Sequence, residues 1–391
     1  MKDTTTYHGT ALWSYGFRPF FLLTALFAGL AIPAWALILS SATDIEFFYP
    51  SRDWHVHEMV FGFLPCVITG FLLTAIPNWT DRPPITGLLL MLLVAVWLLG
   101  RIAISTPWLP PFLAVMTDTA FLILVAGIVW VEIVTAHAWN RLPIGIIISL
   151  YASANILFHV LALRQTDTDL AARMALALMM MLLTLIGGRI TPSFTEDFFD
   201  QHGSSNRPAA FSYVDRVSIA LVGIAALAWI ITPESLGTGT ALVLAGLANG
   251  IRLVRWQGWG TWPEPLVSIL HIGYAWLAIS LLTLGVSTLG IGLLIEDALH
   301  ALTTGAIGVM TLAVMSRASL GHTGRPKQAN AVTVLIYLLV NLGAILRVFG
   351  PSLHVPEPLL FTVAAACWSG AYAVFAIAYG PILLKPSLDE T

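Results

Sequence analysis

The sequence predicts an all-α membrane protein, a polytopic bundle of about twelve transmembrane helices with both termini cytoplasmic. Composition is the first reason. The chain has 391 residues, 58% of them hydrophobic and only 10% charged, with a mean hydropathy of +0.85. A soluble domain is typically about 25% charged, and a chain this apolar would expose large apolar patches to water. Second, runs of roughly 20 apolar residues recur from end to end, each long enough to cross about 30 Å of hydrocarbon. Third, in lipid the backbone polar groups must be paired within the segment, so such runs are helices. The alternation of a membrane barrel strand is absent.

Read in order, the runs place helices at roughly 17–40, 52–77, 85–104, 111–136, 143–163 and 170–189, then 212–232, 238–256, 265–286, 292–317, 330–350 and 358–384. The first run, from Phe17 to Leu39, is too long for a cleavable signal peptide and lacks a small-residue cleavage pattern. Breakers separate the others. Asp81-Arg82-Pro83-Pro84 ends the second helix and Thr106-Pro107-Trp108 the third. Asn140-Arg141-Leu142-Pro143 precedes the fifth, Trp262-Pro263-Glu264-Pro265 the ninth and Pro356-Glu357-Pro358 the twelfth. The longest polar stretch, residues 191–215, is too short to fold alone. It joins two six-helix halves with no residue-level repeat between them, so residues 1–391 read as a single integral membrane domain.

Charge sets the orientation. The side carrying the termini and the even-numbered loops holds 13 Lys and Arg against 5 on the other, together the 18 basic residues of the chain. Both termini are therefore expected in the cytoplasm. The net charge of −3 gives no reason to expect nucleic acid as a partner. Cys66 and Cys367 both lie inside apolar runs, which argues against a disulfide framework or a thiolate metal site.

Ionisable residues inside a span are costly and point to function. His55 and His57 fall one to two turns into the second helix from its outer end, and His159 near the outer end of the fifth. His300 lies in the outer half of the tenth, His271 about two turns from the inner end of the ninth, and His322 just after the tenth on the inner side. Four histidines from three helices thus share the outer leaflet. Imidazole is a common ligand for haem iron, non-haem iron and copper. His55 and His57 are two residues apart, about 200° around a helix, so they face opposite ways and serve different roles. Glu58 shares a face with His55, and Glu296 and Asp297 share one with His300. Carboxylates so placed orient a ligand imidazole or join the metal. The plainer reading of each pair is an interfacial hydrogen bond. Arg52, Arg101, Arg164 and Arg347 on the outer side, and Arg18 and Arg189 on the inner, are the cations available to haem propionates. Each also fits a snorkelling interfacial anchor. His8, His202 and His354 lie in tails or loops and read as solvated.

Several segments resemble the NnrS family of bacterial membrane proteins: Leu12-Trp-Ser-Tyr-Gly-Phe-Arg-Pro-Phe-Phe21, Trp54-His-Val-His-Glu-Met-Val-Phe-Gly-Phe63, Thr74-Ala-Ile-Pro-Asn-Trp-Thr80, Gly187-Gly-Arg-Ile-Thr-Pro192, and the stretch from His300 to Arg325. They occur in this order over most of the chain. The resemblance implies a haem- and copper-containing, multi-pass protein of the bacterial inner (cytoplasmic) membrane. It would handle nitric oxide by binding, scavenging or reduction, in denitrification or the response to nitrosative stress. The implied ligands fall among His55, His57, His300 and His322, whereas His159 and His271 rest on depth alone. The chain lacks the adjacent His-His pair of the haem–copper oxidases, so an oxidase-type binuclear centre is not expected.

Two readings of function follow. In the first, haem b iron is held by His57 with His300 or His271, and copper or non-haem iron by the remaining histidines and Glu58. Nitric oxide or a related small nitrogen species is the partner within membrane lipid. A membrane donor such as quinol supplies electrons if the protein is a nitric oxide-reactive oxidoreductase, and Glu58 carries protons. In the second, twelve helices with intramembrane Glu and His form a transporter for a metal, haem or a small nitrogen compound.

Overall fold

The computed structural model describes residues 9–39, 47–353 and 356–390; His8 and His354 lie outside the described residues. Among the described residues, 12 helices are long and apolar enough to cross a membrane. In chain order they are α1 (Phe17–Leu39), α2 (Ser51–Thr80), α3 (Gly87–Ser105), α4 (Pro111–Thr135), α5 (Trp139–Leu163) and α6 (Asp169–Gln201). They continue as α7 (Tyr213–Ile231), α8 (Leu236–Val254), α9 (Pro265–Thr288), α10 (Ile295–Gly321), α11 (Ala331–Leu353) and α12 (Glu357–Leu384). Their surface is inverted relative to a water-soluble protein. Leu30, Leu88 and Ile377 are 71%, 70% and 77% exposed, while His57 and Glu58 are completely buried. Such a surface is matched to lipid and the polar groups are kept for the interior.

Proline and turn residues set the ends. α2 stops at Asp81, which takes a left-handed conformation (φ 54°) just before Pro83 and Pro84. α4 and α9 carry proline in the first turn, and in α5 Pro143 stands in the first turn of the α-helical part that begins at Leu142, where its missing N–H has no helical partner to lose. α7 begins with a capping box, Ser212 accepting from Val214 N and Asp215 from Ser212 N. The sixth helix departs from the sequence reading. Instead of ending near residue 189, it runs through Pro192 to Gln201, so the first part of the 191–215 stretch is helical.

The reason lies in a wide turn at Leu183–Gly187 and in one arginine. Pro192 has no N–H to give the carbonyl of Gly188, four residues earlier. That carbonyl instead accepts from Arg252 Nη2 (3.3 Å), and the Thr184 carbonyl accepts from Arg252 Nη1 (2.8 Å). A Cβ on residue 188 would collide with the guanidinium, so glycine is required there.

The chain forms two compact units. The first comprises Met1–Leu176, Ala318–Arg325 and Ala376–Thr391, and the second Ala177–Arg317 and Pro326–Phe375. In the first, aromatic side chains of α1 (Phe17, Phe20, Phe21), α2 (Phe61, Phe63), α3 (Trp97) and α5 (Tyr151, Phe158) are buried together with polar residues discussed below. In the second, the buried Arg252 of α8 binds Asp215 Oδ1 of α7 (2.8 Å) and Tyr274 Oη of α9 (2.8 Å), and Tyr274 donates to Asn249 Oδ1 (2.7 Å).

Candidate metal centre in the first unit

α2 repeats the device seen in α6. Residues Glu58–Phe63 form a wide turn in which Leu64 N–H reaches the carbonyl of Met59, five residues back. The next donor in that register would be Pro65, which has none. The orphaned Val60 carbonyl accepts the hydroxyl of Tyr151 on α5, and the Gly62 carbonyl accepts Trp97 Nε1 of α3 (3.0 Å). Such single wide turns are frequent at functional sites. Here the turn follows His57 and Glu58 directly, and it presents the hydrogen atom of Gly62 to Arg101. A Cβ at residue 62 would strike Arg101 Nη1.

Arg101, reaching in from α3 past Gly62, donates from Nη1 to Glu58 Oε1 (2.5 Å) and from Nη2 to Asp118 Oδ1 of α4. Asp118 Oδ2 gathers three further groups. Asn155 Nδ2 donates to it at 3.0 Å, His159 Nε2 lies at 2.8 Å and His57 Nε2 at 3.2 Å. The far side of each ring is also held. His57 Nδ1 is 3.0 Å from Glu58 Oε1, and His159 Nδ1 is 2.6 Å from the hydroxyl of Tyr49. Tyr49 precedes α2. Burial, with the carboxylates of Asp118 and Asp53 adding to it, pushes its phenol well above the ordinary value of 10.0, so it remains a hydroxyl. His57, Glu58, Asp118 and His159 are all fully or almost fully buried, with Phe61, Phe158 and Tyr151 packed around them.

This arrangement poses a hydrogen-bonding problem. His57 Nδ1 faces a carboxylate oxygen of Glu58, and Nε2 faces both Asp118 Oδ2 and Asn155 Oδ1, also 3.2 Å away. A neutral imidazole has one N–H, so one ring nitrogen would point its lone pair at oxygen lone pairs. A cation resolves the conflict, either a second ring proton or a metal ion between Nε2 and the oxygens, and so does a proton on one of the two carboxyl groups.

The donor set fits a metal. His57, Asp118 and His159 each offer a ligand atom, all within 4.8 Å of one another. Ligands bound at about 2.0–2.2 Å and about 90° apart sit about 3 Å from each other, which matches the 2.8 and 3.2 Å separations at Asp118 Oδ2. Two histidines and one carboxylate suit non-haem iron, and imidazole suits copper and zinc as well. Glu58 and Tyr49 stand where partners that orient ligand imidazoles are found. Glu58 Oε2 is buried and has no hydrogen-bond partner among the described residues. His57 and His159 do not bracket a haem between them. Imidazoles on opposite faces of one iron have centroids about 6 Å apart, given metal–nitrogen bonds of about 2.0 Å, whereas these rings are 4.8 Å apart and inclined at 50°.

The structure thus brings together four residues singled out in the sequence, His57, Glu58, Arg101 and His159. The others lie elsewhere. His55, on the opposite face of α2, stacks on Trp35 of α1 at 4.7 Å. His322 stacks on Tyr15. Arg18 sends its guanidinium to the carbonyls of Leu383 (3.0 Å) and Lys385 (2.6 Å) and to Ser387 Oγ (3.0 Å), tying α1 to the end of the chain. In the second unit, His300 Nδ1 meets the Glu296 carbonyl at 2.6 Å, Arg347 binds Asp297 at 2.5 Å, and His271 Nε2 lies 2.7 Å from Thr195 Oγ1. Arg189 is exposed, and both cysteines are free.

The fold and this cluster define a multi-pass helical membrane protein with a buried His/Asp/His group able to hold a metal ion. Residues 11–387 match the family model described as NnrS protein. The chain belongs to the NnrS family, which is linked to the nitric oxide response. No curated protein matches the chain.

Proposed function

We propose that the chain is a metal-dependent nitric oxide-binding protein of the bacterial cytoplasmic membrane, with copper or non-haem iron held by His57, His159 and Asp118. The observation that carries this reading is the convergence of His57, Asp118 and His159, all buried and each offering a ligand atom within 4.8 Å of the others. The metal, when bound, offers a coordination position to nitric oxide, which Cu(I) and iron bind avidly. The chain's own residues do the rest. Glu58 and Tyr49 hold the two imidazoles, Arg101 balances the carboxylates, and Phe61 and Phe158 keep water out. If the bound species is reduced, Glu58 Oε2 is the atom at which a proton would rest. The haem that the resemblance implies would take its iron ligand outside this cluster. His300, whose Nδ1 meets the Glu296 carbonyl, is the residue we assign to that role.

The test is the optical and electron paramagnetic resonance spectrum of detergent-purified protein, oxidised, reduced and with nitric oxide. Metal signals that change with nitric oxide, and disappear in His57→Ala, support the proposal; a Soret band lost in His300→Ala places the haem. A metal-free, colourless preparation that takes up neither metal nor haem when both are supplied during expression overturns it.

A further inference from the structure

Tyr49 is not in the α2 motif and carries no charge, yet it completes the cluster. Its hydroxyl is 2.6 Å from His159 Nδ1, and its ring lies 6.0 Å from that of His57 and 5.9 Å from that of His159. The short segment bearing it is fastened independently at two points. Phe47 stacks flat on Trp54 (3.8 Å, 5°), and Phe48 N–H donates to the carbonyl of Ile104 at the end of α3 (3.3 Å). Trp54 is itself held by Ser105 Oγ through Nε1 (3.3 Å). Residues 47–49 therefore lie across the end of the cluster nearest the start of α2, with the phenol aimed inward at one ligand.

We infer that Tyr49 is the positioning residue of the metal centre: its hydroxyl sets the tautomer and ring angle of His159, and the Phe47–Phe48 segment holds it there and closes the cluster on that side. This rests on the metal-centre reading above. A neutral imidazole that binds metal through Nε2 must carry its proton on Nδ1. Among the described residues, Tyr49 Oη is the acceptor placed at Nδ1 of His159. The two ligand histidines thus have unlike outer partners: a carboxylate, Glu58, on His57 and a neutral phenol on His159. Loss of the phenol leaves a buried N–H unpaired and the ring free to turn. Losing such an outer partner typically lowers metal affinity about 10–100-fold.

Co(II) added to the full-length purified protein gives a probe whose visible spectrum reports coordination geometry. Wild type should bind one ion per chain. Tyr49→Phe keeps the ring, so it should keep that stoichiometry while showing an altered d–d spectrum and a release rate to EDTA raised about 10–100-fold. Phe47→Leu, which loosens the segment without touching His159, should speed release and leave the spectrum unchanged. If Tyr49→Phe matches wild type in spectrum and release, Tyr49 does not position the ligand. If Phe47→Leu releases at the wild-type rate, the segment does not close the site. Failure of wild type to bind Co(II) would instead count against the metal centre itself, and is read separately.

Discussion

Adding one methyl group at residue 62 should disable the cluster from a distance. Gly62 is not a ligand, but its Cα is the surface past which Arg101 reaches Glu58 and Asp118, and a Cβ there would overlap Nη1. The guanidinium has little room to retreat. Nη1 and Nη2 are committed to different carboxylates, and Trp97, whose ring lies 5.9 Å from the guanidinium carbon, is pinned to the Gly62 carbonyl. Gly62→Ala must therefore shift the backbone of the wide turn or pull Arg101 away from a buried carboxylate. Breaking a buried ion pair costs about 3–5 kcal/mol. Gly127 on α4 is the control, because a Cβ there meets no atom of the described residues within 4 Å. With alanine the better helix former, Gly127→Ala should be neutral or stabilising by about 0.5–1 kcal/mol. The assay is thermal unfolding in detergent, together with metal content. Gly62→Ala should melt well below wild type and lose metal, while Gly127→Ala does neither. Equal behaviour of the two variants would refute the claim that Arg101 is threaded past residue 62.

Other perturbations reach the same framework. Tyr151→Phe removes the donor to the Val60 carbonyl that Pro65 leaves orphaned, and should destabilise by about 1–3 kcal/mol with little change of shape; a melting temperature equal to wild type would contradict this. Arg252→Met strips the Gly188 and Thr184 carbonyls and Asp215 of their buried partner, and should cost about 3–5 kcal/mol. Protease cleavage between residues 188 and 201 should then rise, and unchanged resistance would count against the role of Arg252. Tyr49 gives a pH signature, because its folded-state ionisation lies above the ordinary 10.0. Its contribution is complete below about pH 10, the unfolded value, and is lost as pH rises toward the folded value. The stability difference between wild type and Tyr49→Phe should be flat below pH 10 and shrink above it; a flat difference throughout would show that the phenol is not buried as described.

The fold was legible because each span repeats one signal, about 20 apolar residues between proline-rich breakers, and lipid permits few alternatives to a helix. The end of α6 was hidden, since it depends on Arg252, 60 residues away, supplying the hydrogen bonds that Pro192 cannot. The site was half legible. His57, Glu58, Arg101 and His159 stand out as ionisable groups in apolar surroundings. Asp118 carries the same signal, an aspartate in the middle of the apolar run 111–136, and rests at the centre of the cluster, so the rule that found Glu58 applies equally to it. Asn155 and Tyr49 are uncharged and leave no mark in composition. Only the packing of α4 against α5, and the return of residues 47–49 over α2, brings them to the histidines. The separation of His55 from His57 follows from helix geometry alone, and the stacking of His55 on Trp35 is consistent with it.

The most direct test is metal stoichiometry of the purified chain, set beside that of Asp118→Asn and His159→Gln. Asp118→Asn keeps the shape of the residue on which Arg101, His57 and His159 converge but removes its charge. A metal centre at this cluster predicts about one copper or iron ion per wild-type chain, at least a tenfold loss in each variant, and a nitric oxide-dependent spectral change that falls in step. Variants that keep the metal and the nitric oxide response of wild type would contradict it.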